Sequence, residues 1–226
     1  MIERLAVEVG IRPDFVMRGH EWPCERAPVV MLHDYGEDLD AWRGVDRSVA
    51  EQGFRVISLE LPGHGLSDGE PEEATVMTNV TNLLRQVSSV WGPLGLCTYG
   101  RLAADLCDLD GPEAPVAHIA LSPCFSDEPE ASNRDLRTSV PHLVVAATSD
   151  GRRSDAARAV FDRLGAQRLW ASVASENHGP DLLLSHPHLI DDIGIFLRRY
   201  LVPKHLSWTA SAHEKAVTEF LEEDSE

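Results

Sequence analysis

The sequence predicts an α/β protein: a mostly parallel sheet of about eight strands with helices on both faces. Three observations predict it. From Pro28 onward, strand-like and helix-like segments alternate along the chain. Pro28–His33 is a continuous apolar run, the pattern of a strand buried on both faces rather than one. Turns rich in Gly, His and Asp follow the strand-like segments, at the sheet edge where open α/β sheets place their sites.

The elements follow in order. Leu5–Val9 and Asp14–Gly19 read as a leading antiparallel pair around Gly10 and Pro13. After the Pro28–His33 strand, Asp40–Gln52 carries Trp42, Val45 and Val49 at helical spacing and stops before Gly53. Phe54–Leu61 is the next strand. Ala74–Trp91 places Val76, Val80, Leu83, Leu84, Val87 and Val90 on one stripe, an amphipathic helix. Pro93–Cys97 reads as a short strand and Arg101–Cys107 as a helix start. Val116–Ser122 and Pro141–Thr148 are further strands, and Ser154–Leu164 is a helix with Ser154 as N-cap. Arg168–Ala174 is the last strand. His188–Leu201 is a helix with Leu189, Ile193, Phe196, Leu197 and Tyr200 on one face. Residues 1–203 are expected to form one domain and residues 204–226 a helical acidic tail.

Composition narrows the function classes. The 226 residues carry 37 acidic and 20 basic side chains, a net charge of -17. That disfavours nucleic acid and anionic membranes as partners, since both need clustered Lys and Arg. Apolar residues make up 43%, enough for a substantial core. The four cysteines, Cys24, Cys97, Cys107 and Cys124, form no CxxC pair and match no zinc spacing. The opening residues lack a signal-peptide core, and no apolar run reaches membrane-spanning length. A cytoplasmic protein with reduced thiols, no cofactor and no metal is the expectation. The sequence does not report the oligomeric state.

Four pieces, in order, resemble the α/β-hydrolase family. His33-Asp34-Tyr35-Gly36-Glu37 is similar to its H-G-aromatic-G-E loop. Leu61-Pro62-Gly63-His64-Gly65-Leu66-Ser67-Asp68-Gly69 is close to its P-G-H-G-x-S-x-G segment. Gly95-Leu96-Cys97-Thr98-Tyr99-Gly100 stands where the family carries its G-x-S-x-G nucleophile elbow. Asp150 and Asn177-His178-Gly179 follow the next strands at the acid and histidine places. The resemblance implies the α/β-hydrolase fold over residues 5 to 201. Residues 122–141 are too few for a cap domain.

The family's chain order of nucleophile, acid and histidine implies a Cys97–Asp150–His178 triad acting on a small-molecule substrate. A thiol at a helix N-terminus beside a histidine would be readily ionised, and Asp150 would orient the His178 ring. The oxyanion donors would be the backbone N–H groups of Tyr35 and Thr98. A register shifted by one residue puts Thr98 itself at the nucleophile. Dienelactone hydrolases share a Cys-Asp-His set. Two residues depart from the pattern: Asp34 replaces a glycine beside the expected oxyanion site, and Tyr99 replaces a small residue in the elbow. Both are candidate substrate contacts. Two function classes follow: a lid-free cysteine hydrolase of a small ester, thioester or lactone, and a non-catalytic relative acting as a ligand-binding or interaction module. His64 is expected to support its loop, and His186 and His188 to be surface residues.

Overall fold

The computed structural model describes residues 3–125, 136, 138–165 and 167–201. The expected C-terminal tail, and residues 126–135 and 137, lie outside the described residues. Eight strands form one sheet: β1 (Leu5–Arg12), β2 (Phe15–Trp22), β3 (Pro28–Leu32), β4 (Arg55–Leu59), β5 (Gly95–Tyr99), β6 (Ala117–Leu121), β7 (His142–Ala147) and β8 (Arg168–Val173). The strand order is β1-β2-β4-β3-β5-β6-β7-β8. The pairs β1–β2 and β2–β4 are antiparallel and all others parallel.

Six helices cover the faces: α1 (Val45–Glu51), α2 (Glu73–Trp91), α3 (Gly100–Asp105), α4 (Gly151–Arg163), α5 (Gly179–Ser185) and α6 (His188–Leu201). Short 3-10 turns occupy Leu39–Trp42 and Leu106–Asp108. The central strands β3, β5, β6 and β7 are buried at every residue. This is why they read as unbroken apolar runs. The edge strands β1 and β8 alternate between covered and exposed positions.

Strand periodicity sorts side chains onto the two faces. Val29, Met31, Cys97 and Tyr99 join the core beneath α1, α5 and α6, with Leu182, Leu189, Ile193 and Phe196. Val30, Leu32 and Leu96 turn the other way, toward Val76, Val80, Leu83 and Leu84 of α2. Val90, placed by the periodicity on the α2 stripe, is instead exposed, while its neighbour Trp91 packs against the core. A third cluster lies beneath α3 and α4, where Ala103, Ala104 and Cys107 meet Ala120, Val144 and Val160. The fold therefore delivers the loops after β3, β5, β7 and β8 to one sheet edge.

Candidate functional site

The strand-to-helix junction falls later than the sequence pattern indicates. β5 runs through Tyr99, with Met31 paired to Cys97, Leu32 to Thr98, and Tyr99 to Leu121. The turn is made by Gly100, whose φ of 65 lies in the left-handed region, and α3 starts there. The nucleophile of this kind of elbow sits on that strained turn residue. Here it is a glycine, with no side chain to react. Gly95, which the motif reading took as the front of the elbow, opens the strand. A Cβ there would stand 2.9 Å from Leu197 Cδ2 and 3.1 Å from Leu201 Cδ1, so its smallness serves the close approach of α6.

Cys97, expected at the elbow, lies inside β5 and in the core. It lies three positions before the turn, is 1% exposed, and belongs to the apolar cluster under α5 and α6. Burial pushes its thiol well above the ordinary range, the opposite of activation. Thr98 is also moved. Its hydroxyl is buried against His118 Nε2 at 2.8 Å, and its backbone pairs within the sheet.

What fills the elbow is Asp34. A Cβ built on Gly100 would lie 1.8 Å from Asp34 Oδ2, so the carboxylate takes the space a nucleophile side chain would need. The N–H of Arg101 donates to Oδ2 at 3.1 Å, and that of Leu102 to Oδ1 at 2.9 Å. The N–H of Tyr35 donates to Oδ1 at 2.9 Å. In this kind of site the oxyanion donors are the residue after the nucleophile and a residue of the loop after β3. The residues at those two places in this chain are Arg101 and Tyr35. The sequence pattern places the donors at Tyr35 and Thr98; Thr98 lies within β5, and Arg101 is the residue after the turn. Both N–H groups are taken up by the Asp34 carboxylate.

The loop carrying Asp34 is held rigidly. The Leu61 N–H donates to His33 Nε2 at 3.0 Å, which leaves His33 Nδ1 to donate to the Asp34 carbonyl at 2.9 Å. The Gly36 N–H donates to His64 Nε2 at 3.2 Å, and the His33 and His64 rings meet edge to face. The two histidines stitch the loops after β3 and β4 together. The Tyr35 hydroxyl donates to Asp105 Oδ2 at 3.0 Å, under the Arg101 guanidinium.

Tyr99 is 5% exposed and packs edge to face on Trp42. Its ring lies against Gly179, and its hydroxyl donates to Glu37 Oε2. Burial, then the Glu37 carboxylate, raise the phenol above its ordinary range. Tyr99 is thus a core wedge between the loop after β3 and the start of α5.

Asp150 and His178 do meet, in the loops after β7 and β8. His178 Nδ1 stands 3.5 Å from Asp150 Oδ2, outside good hydrogen-bond geometry, and that oxygen is buried with no hydrogen-bond partner. The ring's close neighbour is Arg153, whose Nη1 lies 2.7 Å from Nδ1 and also contacts Nε2. The Gly179 N–H next to it donates to the Ser122 hydroxyl at 3.0 Å, where Ser122 holds a left-handed φ of 44. The thiol at this edge is that of Cys124, half-buried and raised by burial and by the Asp34 charge. Its backbone N–H donates to the Gly100 carbonyl at 3.1 Å.

Sequence reasoning missed Gly100, Arg101, Arg153 and Cys124. The signal for Gly100 was present, since Gly100-Arg101-Leu102-Ala103-Ala104 marks the helix start, and the turn must precede it. A cleft of ≈ 770 Å³ lies on another flank, beside β1 and β2, with Arg18, His20, Trp22, Arg43 and Asp46 on its wall. There Asp46 Oδ2 accepts from Trp22 Nε1 at 2.7 Å and contacts His20 Nε2 at 2.5 Å.

Residues 27–106 match the family model described as alpha/beta hydrolase fold. The GrgF α/β hydrolase of a Penicillium species is 12% identical, with a TM-score of 0.75 over 89% of this chain and 100% of that one. The Pyrococcus furiosus esterase Pf2001 is 14% identical, with a TM-score of 0.71 over 88% of this chain and 93% of that one. This chain has the α/β-hydrolase fold. The dienelactone hydrolase of Anabaena variabilis superposes similarly, at 13% identity and a TM-score of 0.68 over 88% of this chain and 98% of that one. No curated protein matches by sequence. Among the described residues, no helix is long and apolar enough to cross a membrane.

Proposed function

We propose that this chain is a non-catalytic α/β-hydrolase-fold protein, a ligand-binding or interaction module whose former acyl-transfer centre is closed by its own carboxylate. The observation that carries the reading is Asp34. Its carboxylate accepts from Tyr35, Arg101 and Leu102 N–H groups and stands 1.8 Å from where a Gly100 side chain would begin. An acyl-transfer site needs a nucleophile, and donors free to meet the charge that develops on the substrate oxygen. Here the nucleophile position holds Gly100, and the donors already hold a negative charge. A substrate carbonyl entering this site would face Asp34, not an electrophilic pocket.

The second reading is a hydrolase of a small ester, thioester or lactone through Cys97, Asp150 and His178. What favours it is that Asp150 and His178 stand 3.5 Å apart after β7 and β8. What weighs against it is the burial of Cys97 within β5 and the presence of Arg153 against the His178 ring. For a small-molecule ligand, the cleft beside β1 and β2 offers a wall of both charges together with Trp22. Nothing in it favours an acyl substrate.

The test is reactivation. With an activated p-nitrophenyl ester, the natural chain should release nitrophenol no faster than buffer. Gly100→Ser alone should also fail, because Asp34 blocks the new side chain. Asp34→Gly combined with Gly100→Ser should give turnover that His178→Ala removes. Turnover by the natural chain that falls in Cys97→Ala would overturn the proposal in favour of the hydrolase.

A further inference from the structure

A second cluster of reactive side chains lies on the opposite side of β5 from the Cys97 core, and nothing in the elbow uses it. His118 of β6 and His142 of β7 are register partners in the parallel sheet, so their side chains leave the same face side by side. Cys107 comes down onto them from the 3-10 turn after α3. The ligand atoms of the three residues lie within 4.8 Å of one another, and each residue is no more than 1% exposed.

The hydrogen bonds around the cluster leave its inward-facing atoms bare. His142 Nδ1 donates to the Val140 carbonyl at 2.7 Å, which puts the lone pair on Nε2. His118 Nε2 meets the Thr98 hydroxyl at 2.8 Å, leaving Nδ1. His118 Nδ1 and His142 Nε2 are both buried with no hydrogen-bond partner. Buried polar atoms are rarely left so, and two at one place with a thiol near them make a ligand set. Fixing one ring nitrogen to a carbonyl or hydroxyl so that the other is free is how metal-binding histidines are oriented.

We propose that Cys107, His118 and His142 form a buried site for a copper ion, held as Cu(I) by one thiolate and two imidazoles. Thiolate selects soft ions such as Cu(I), imidazole also suits copper, and a trigonal His₂Cys set is a copper geometry. Charge agrees: a monovalent ion with one thiolate is neutral, whereas a divalent ion would leave an unbalanced charge in a sealed place. Structural zinc normally takes four ligands, and the described residues supply three. Bonds of roughly 2.0–2.3 Å put trigonal donors about 3.6 Å apart, so donors within 4.8 Å need to close in by about 1.2 Å at most. Binding forms a Cu–S bond, and the Cys107 thiol releases its proton to solvent. No electron is exchanged. Cys107, which by sequence is a small apolar residue, becomes a ligand because the fold sets it on two imidazoles.

The experiment loads the full chain with Cu(I) under anaerobic, reducing conditions, during refolding because the site is sealed. Bound metal is then read against the competing Cu(I) chelator bathocuproine disulfonate and by copper K-edge absorption. The expected result is one equivalent retained, with a first shell of one sulfur and two nitrogens at about 2.0–2.3 Å. Cys107→Ser and His142→Gln should each weaken retention at least tenfold, while His186→Ala should not. The absorption shell is read on the natural chain, so the result stands even where a variant misfolds. No retained copper, a shell without sulfur, or zinc taken in preference to copper at one equivalent would overturn the assignment.

Discussion

If the Asp34 carboxylate occupies the space of a missing nucleophile, then Asp34 and Gly100 are energetically coupled, and the coupling has a calculable sign. Gly100→Ala places a Cβ at a φ of 65, which costs about 1–2 kcal/mol in the left-handed region. The same Cβ would sit 1.8 Å from Asp34 Oδ2 and force the carboxylate out. Its bonds from Arg101 and Leu102 N–H are then lost, at about 1 kcal/mol each after discount for partial solvation. The single variant should lose about 3–4 kcal/mol. Asp34→Ala removes those bonds and the one from the Tyr35 N–H, and should lose about 2–3 kcal/mol. In the double variant the bonds are lost only once and no overlap remains, so the loss is about 3–5 kcal/mol rather than the sum of about 5–7. Equilibrium urea unfolding at pH 7, with unchanged m-values, measures all four corners of the cycle. A double variant whose loss equals that sum to within about 0.5 kcal/mol would refute the reasoning, because non-interacting sites behave that way.

Native-state alkylation with iodoacetamide should modify the half-buried Cys24 and Cys124, whereas Cys97 and Cys107 should react only on unfolding; peptide mapping that finds Cys97 first would place its thiol outside the core. The Asp46 carboxyl is pushed up by burial but pulled further down by its bonds from His20 and Trp22, for a net lowering. Its folded pKa is therefore below the unfolded value of about 3.9, so its stabilisation is present above that pH and lost as pH falls below it. Asp46→Asn should lower stability at pH 7 by about 1–3 kcal/mol and flatten the acid limb below about pH 4. An unchanged acid limb in a urea series would contradict that assignment.

The layout of the sheet was legible because burial writes itself into composition. β3, β6 and β7 are buried on both faces and read as apolar runs, and α6 shows its stripe at helical spacing. The end of β5 was not legible for the same reason. Cys97, Thr98 and Tyr99 are all buried, so nothing in polarity marks where the strand stops. The pattern reading then anchored on Gly95, a glycine required by the packing of α6, and set the turn at Cys97 rather than at Gly100. The short helix α5 escaped notice because seven residues with a proline at its start carry too little periodicity. Asp34 was seen as an oddity, but its meaning depends on contacts with α3 that only the folded chain makes. The cluster of Cys107, His118 and His142 was invisible for a similar reason, since strand register, not sequence spacing, brings it together.

The central claim, that the elbow has no nucleophile, is tested most directly by intact-protein mass spectrometry after incubation with p-nitrophenyl acetate at neutral pH and quenching in acid. The chain should return at its unmodified mass, with no acetyl adduct on any residue of the elbow. An acetyl group trapped on Cys97, and accumulating further in His178→Ala, would contradict it.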